Sequence, residues 1–154
     1  MHTNILLNSD HTITSIEHSD EPASQADVDT VFDNLRAYNW QHAPPDNHQH
    51  LRIFVRNSNG EIIGGLLGDT FWGWLYISIL WLHDRLRGQG MGTKLLEMAE
   101  AEGVRRGCHH AFLDTMSFQA LPFYEKHGYT VFGVLEDFPI GHSRYYLKKS
   151  LREE

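Results

Sequence analysis

Apolar and polar positions along this 154-residue chain follow two alternating periods, and the switches between them mark its elements. Residues 12–17 alternate with period two, the pattern of a half-buried strand. After Pro22, Val28, Val31, Phe32 and Leu35 recur at i, i+3, i+4 and i+7, which predicts a helix over residues 24–40. Pro44 and Pro45 remove two backbone donors and force an extended loop. Residues 50–55 alternate again, Asn59-Gly60 is a hairpin turn, and residues 62–67 run back along the other side. After a turn at residues 71–74, the aromatic and β-branched run 75–82, interrupted only by Ser78, suits a central strand. A helical pattern over residues 90–106 then puts Met91, Leu95, Met98 and Ala99 on one face and stops at Arg105-Arg106-Gly107.

Residues 109–115 predict a strand reached by a strand–helix–strand crossover, and so parallel to residues 75–82. A helix over residues 119–127 stops at Gly128, and strands over residues 129–135 and 144–151 complete the set. The order β-α-β-β-β-α-β-α-β-β predicts an α/β fold. Its sheet is mixed, with an antiparallel N-terminal meander, a central parallel strand pair and flanking helices. With no internal repeat, low-complexity tract or linker, residues 1–154 read as a single domain.

Composition narrows the function classes. The 41% apolar content is that of a globular chain. The longest apolar run, about residues 75–82, is far short of the ~20 residues that span a bilayer. The first residues lack the basic start and apolar stretch of a signal peptide. Cys108 is the single cysteine, so no intrachain disulfide forms and a cytoplasmic location is the expectation. Net charge is −7, and residues 1–61 carry nine acids against three arginines. That argues against nucleic acid, which needs a basic surface, and suits a cationic substrate or simply a solvated acidic surface.

The chemistry concentrates in residues 86–100, LRGQGMGTKLLEMAE. A glycine-rich turn opening a helix presents unpaired backbone N–H groups at the positive end of the helix dipole, a site for phosphate or pyrophosphate. Gly88, Gly90 and Gly92 let the backbone curl close to the anion, and Arg87 adds a charged contact at the rim. Other phosphate loops fit poorly. The order Gly92-Thr93-Lys94 is not the Gly-Lys-Ser/Thr of a Walker A loop, and no third glycine completes a dinucleotide fingerprint.

Arg87-Gly88-Gln89-Gly90-Met91-Gly92, followed about thirty residues later by Ala120-Leu121-Pro122-Phe123-Tyr124-Glu125-Lys126-His127-Gly128-Tyr129, resembles the two signatures of the GNAT N-acetyltransferase family. The likeness extends over about residues 55–151. It implies a GNAT-like fold, acetyl-CoA as cofactor with CoA as product, and transfer of acetyl to a primary amine of a small molecule; a protein N-terminus or lysine is the alternative acceptor. It implies that the pyrophosphate sits on N–H groups of Gln89, Gly90, Met91, Gly92 and Thr93 beside Arg87 and Gly88. The pantetheine arm would run along the end of the central strand, at Leu80 and Leu82, where the family splays two parallel strands. Ser117 stands where many members carry an arm-binding Asn. Tyr124 takes the place of the general acid, and no cysteine in either motif suggests an acyl-enzyme. Dimers are common in the family, and a homodimer is compatible with the resemblance.

Acetyl transfer needs a neutral amine and a proton for the departing thiolate. An alkyl ammonium of pKa ~10.4 is neutral in about one molecule in 2,500 at pH 7, roughly 4.6 kcal/mol. Candidate bases are His83, Asp84, Asp114 and His142, each of which also has a structural reading; Asp114 could cap the following helix. Tyr124 can likewise be read as a packed aromatic beside Phe123, and a non-catalytic acyl-CoA sensor is the alternative for the whole chain. Acceptor specificity is expected in residues 27–49 and 137–142. His48 and His50 lie on one side of an extended segment, but no cysteine or further spaced ligand completes a tetrahedral set, so no metal is expected. The aromatic run Phe71, Trp72, Trp74, Tyr76 and Trp81 suits sheet packing or, alternatively, a surface for cationic amines.

Overall fold

The break in the chain comes at Pro44-Pro45, which separates two units, Met1–Pro44 and Pro45–Glu154. The computed structural model describes residues 5–8, 11–13 and 24–152. In the first unit, β1 (Ile5–Asn8) and β2 (His11–Ile13) form an antiparallel ladder with Ile5 opposite Ile13. The strand expected over residues 12–17 thus begins at His11 and gains a partner that periodicity did not reveal; residues 14–17 lie outside the described residues. Helix α1 (Gln25–His42) follows, with the Val28 N–H donating to the Ser24 carbonyl at 3.1 Å. It stops at Ala43, before the two prolines that cannot continue it.

The second unit holds β3 (Gln49–Arg56), β4 (Ile62–Phe71), β5 (Trp74–Leu82), α2 (Met91–Arg105), β6 (His110–Met116), α3 (Leu121–Lys126), β7 (Thr130–Glu136) and β8 (Ser143–Ser150). Strand β4 runs four residues past its expected end because the reversal is made by Trp72-Gly73, both with positive φ. The six strands stand in the order β3-β4-β5-β6-β8-β7. Neighbours are antiparallel except β5 and β6, the expected parallel pair.

Helix α2 covers the meander, burying Leu95, Leu96, Ala99 and Gly103 in a core with Leu51, Leu66, Leu75 and Ile77. A Cβ at Gly103 would lie 3.3 Å from the Leu75 side chain, so helix and strand approach closely there. Leu96 takes the inward place expected for Met98, which is 48% exposed. The stripe is rotated by part of a turn because Leu96 sits next to Leu95 on the face that meets β5. Cys108 is buried just ahead of β6, and burial pushes its thiol up.

Candidate active site

Strands β5 and β6 pair from Trp74 and His110 to Ile77 and Leu113 and then part. In the β4–β5 ladder Leu67 faces Ile79 while Gly68 faces Ile77, so Ser78 is an extra residue, a bulge. Its hydroxyl donates to the Leu67 carbonyl at 3.0 Å. A bulge bends and twists its strand, which turns β5 away from β6 at this residue. Gly68 accommodates it, since a Cβ there would collide with the Tyr76 carbonyl. Beyond the bulge Leu80, Trp81 and Leu82 stay paired to β4, leaving the backbone groups that face β6 without a strand partner. The wedge so opened is a cleft of about 810 Å³, walled by residues 77–82 on one side and Asp114 and Thr115 on the other.

One end of the cleft is the start of α2. Gly88 and Gly90 have φ of 71° and 78°, the left-handed region that glycine adopts without strain. Gly90 is the N-cap, and no side chain caps the helix. The N–H groups of Met91, Gly92 and Thr93 precede the first helical bond, Lys94 N–H to Gly90 carbonyl, and have no acceptor among the described residues. No acid lies in the first turn. Arg87, whose Nε donates to the Leu82 carbonyl at 3.3 Å, and Lys126 also line this end. Gly92 has a different role from the other two: a Cβ on it would meet the Phe123 ring at 3.4 Å, so it lets α3 lie against α2. His127 ties the same two helices. Its Nδ1 faces the Phe123 carbonyl at 2.7 Å, so in the neutral ring that nitrogen carries the proton. Nε2 then accepts from Thr93 Oγ1 at 3.0 Å.

Deeper in the cleft stands Tyr124, 6% exposed, its ring packed edge-on against Phe123 and Tyr129. Its hydroxyl has no hydrogen-bond partner among the described residues. No fully buried side-chain oxygen there lacks a partner, so this oxygen opens into the cleft. Burial, and then the negative charge of Asp114, push its pKa up to about 12. Asp114 is itself held by Arg144, whose Nε and Nη2 donate to Oδ2 at 2.8 and 2.7 Å, and Tyr76 OH donates to Oδ1 at 3.4 Å. Burial and Asp114 raise the Tyr76 hydroxyl as well. A long, thin ligand fits this shape: an anionic end on the α2 amides, a polar arm along the splayed strand, and a reacting group beside a protonated phenol.

Residues 12–129 match the acetyltransferase (GNAT) family. The chain belongs to that family. It is an acyltransferase enzyme, of the N-acetyltransferase kind. It is 41% identical over 119 residues to an acetyltransferase of Agrobacterium fabrum, covering 77% of this chain and 87% of that protein. It is 38% identical over 99 residues to the blasticidin-S acetyltransferase of Streptomyces morookaense, covering 64% of this chain and 73% of that protein. The crystal structure of an acetyltransferase from Bacillus cereus shares 32% identity and superposes with a TM-score of 0.77, covering 87% of this chain and 97% of that one. GNAT enzymes generally take their acetyl group from acetyl-CoA.

The GNAT cleft gathers most of the residues singled out in the sequence. Leu80, Leu82, Arg87, Gly88, Gly90, Met91, Gly92, Thr93 and Tyr124 all line it. Gln89 and Ser117 do not. The Gln89 side chain turns back to the Arg85 carbonyl at 2.7 Å. The Ser117 hydroxyl accepts from the Ser143 N–H at 3.2 Å and faces His142 Nδ1 at 3.2 Å, occupied by the β8 end of the sheet. Of the four candidate bases only Asp114 reaches the cleft, and it caps no helix, since α3 is capped by Ala120. His83 accepts from the Arg85 N–H, and Asp84 pairs with Arg87 at 3.1 Å. Lys126, Gln119 and Phe118 line the cleft and were missed: as ordinary helix and loop residues, they carry no spacing signal. A further polar cluster lies outside the cleft lining. His48 and His50 do find a third partner, Asp69, which the β3–β4 register sets directly opposite His50. Among the described residues no helix is long and apolar enough to cross a membrane.

Proposed function

We propose that this enzyme moves an acetyl group from acetyl-CoA to a primary amine of a small molecule by direct transfer, with Tyr124 as general acid. The observation that carries the reading is the Tyr124 hydroxyl: without a hydrogen-bond partner among the described residues, open to the cleft, and kept protonated by burial and Asp114. Bound acetyl-CoA supplies an acetyl group activated as a thioester. Met91, Gly92 and Thr93 N–H groups, with Gly88, Gly90, Arg87 and Lys126 around them, would hold its anionic end; Gln89, its side chain turned to the Arg85 carbonyl, would offer only its main chain. Main-chain groups of Leu80 and Leu82 orient the arm. As the amine–carbon bond forms and the carbon–sulfur bond breaks, Tyr124 would give its Oη proton to the departing sulfur, and the proton shed by the amine nitrogen would restore the phenol. Asp114, held in place by Arg144, contributes a carboxylate that helps keep Tyr124 protonated.

A small-molecule acceptor is supported by the relative named as a blasticidin-S acetyltransferase. The family match runs across Pro44-Pro45, which favours reading residues 1–154 as one GNAT-type domain. A cytoplasmic location follows from use of acetyl-CoA and fits the lone, buried Cys108. The test is thiol release from acetyl-CoA across a panel of small amines, with free N-terminal peptides and lysine peptides as comparison. Turnover on a small amine is expected. Tight CoA binding without turnover on any acceptor makes the protein a sensor instead, and turnover on peptides alone moves the acceptor to protein.

A further inference from the structure

We infer that His48, His50 and Asp69, none of which lines the acetyl-transfer cleft, form a binding site for a divalent transition-metal ion of the Zn²⁺ type. One oxygen, Asp69 Oδ1, stands 3.0 Å from His48 Nε2 and 2.7 Å from His50 Nδ1. The three potential ligand atoms all lie within 4.8 Å of one another. The arrangement is built by the backbone. His48 immediately precedes β3, and its ring lies 5.0 Å from that of His50, edge-on, so the two share a side. Asp69 lies across the antiparallel ladder in register with His50. The loop that carries His48 is tied down by the Asp46 carbonyl, which accepts from the Trp72 N–H at 2.9 Å, and by Asp46 Oδ1, which accepts from the His48 N–H at 3.4 Å. The His48 ring is walled by Phe71 at 6.2 Å between centroids.

The donor set suits the ion. Two neutral imidazoles and a carboxylate are borderline ligands that favour zinc and its neighbours over Mg²⁺ or Ca²⁺, which want oxygen only. A zinc bound at about 2.0–2.2 Å to each atom, at tetrahedral angles, separates nitrogen from oxygen by about 3.3 Å. The nitrogen–oxygen distances of 3.0 and 2.7 Å therefore need to open by about 0.3 and 0.6 Å. The His50 side chain is 62% exposed, so ions reach the site directly, and a three-ligand set leaves a coordination position for water or a further ligand.

The experiment uses the full chain stripped of metal with a chelator and titrated with ZnCl₂ by calorimetry, alongside thermal melts with and without Zn²⁺. One Zn²⁺ per chain and a raised melting temperature are expected. The His48→Ala/His50→Ala double variant should lose this binding, and Asp69→Asn should weaken it at least about tenfold. His42→Ala, outside the cluster, should bind as the parent does. Metal-free melts of each variant report folding, and the mostly exposed His50 permits a single His50→Ala variant if the double one is unstable. Absence of one-to-one binding overturns the inference, and so does Zn²⁺ affinity unchanged by the double or single histidine variants. The readout is independent of acetyl transfer, so either conclusion stands without the other.

Discussion

The Ser78 hydroxyl donates to the Leu67 carbonyl across the β4–β5 ladder, at the one residue where β5 turns away from β6. A single polar side chain in an apolar strand thus pins the bulge that opens the cleft. Opposite it, Gly68 leaves room for the displaced Tyr76 carbonyl. The shape of the cleft and its unpaired strand backbone both follow from that local irregularity.

Ser78→Ala should lower stability by about 1 kcal/mol, the usual worth of one hydrogen bond. Gly68→Val should do more, because its side chain has nowhere to go but into the Tyr76 carbonyl. Chemical denaturation measures the first effect. Calorimetry should find that Gly68→Val also weakens CoA binding; unchanged affinity would separate the bulge from the cleft.

Tyr124→Phe keeps the ring and its contacts with Phe123 and Tyr129 and removes only the hydroxyl. Its kcat should fall by about 10²–10⁴-fold with little change in KM for acetyl-CoA. Steady-state kinetics checks this, and a kcat within threefold of the parent would remove Tyr124 from the chemistry.

Burial, and then Asp114, push the Tyr124 hydroxyl up to about 12 from the ordinary value near 10, so the folded state holds its proton more tightly. Its contribution to stability is complete below pH 10 and drains away as pH rises towards 12, by about 2–3 kcal/mol. Denaturant unfolding followed across that window should show the parent losing stability more steeply than Tyr124→Phe.

Asp114→Asn removes the carboxylate that holds Arg144 and raises the hydroxyls of Tyr76 and Tyr124. Both phenols should then ionise at lower pH, seen as an earlier rise of tyrosinate absorbance. The partly shielded Arg144 loses its partner at a cost of about 1–3 kcal/mol. An unmoved absorbance titration would refute the electrostatic role given to Asp114.

Arg87→Ala and Lys126→Ala should each weaken acetyl-CoA binding several-fold, and more so at low ionic strength because both cations sit at an open rim. Titrations at two salt concentrations test this. Equal affinities at both would mean that backbone amides alone hold the anion.

Much of the fold was legible because periodicity and turn chemistry are local. The parallel pairing of β5 with β6 follows from a crossover rule, and the glycine turn before α2 from backbone freedom at residues 88 and 90. What stayed hidden depends on partners distant in the chain. Ser78 reads as a mere interruption until its β4 neighbour is known, and Ser117 reads as free until Ser143 is seen to occupy it. Lys126 reaches the cleft, and Asp69 reaches two histidines, only through the register and packing of separate elements. Gly92 shared a motif with Gly88 and Gly90, yet its reason is the neighbouring Phe123 ring.

His127, bridging the Phe123 carbonyl and the Thr93 hydroxyl, acts as a strut between α2 and α3. The two ends of the groove are thereby held at a set span. Such a frame works as a ruler: an acyl donor with a shortened arm, or one lacking its charged anchor, cannot engage both ends together, and length joins charge as a criterion of selection.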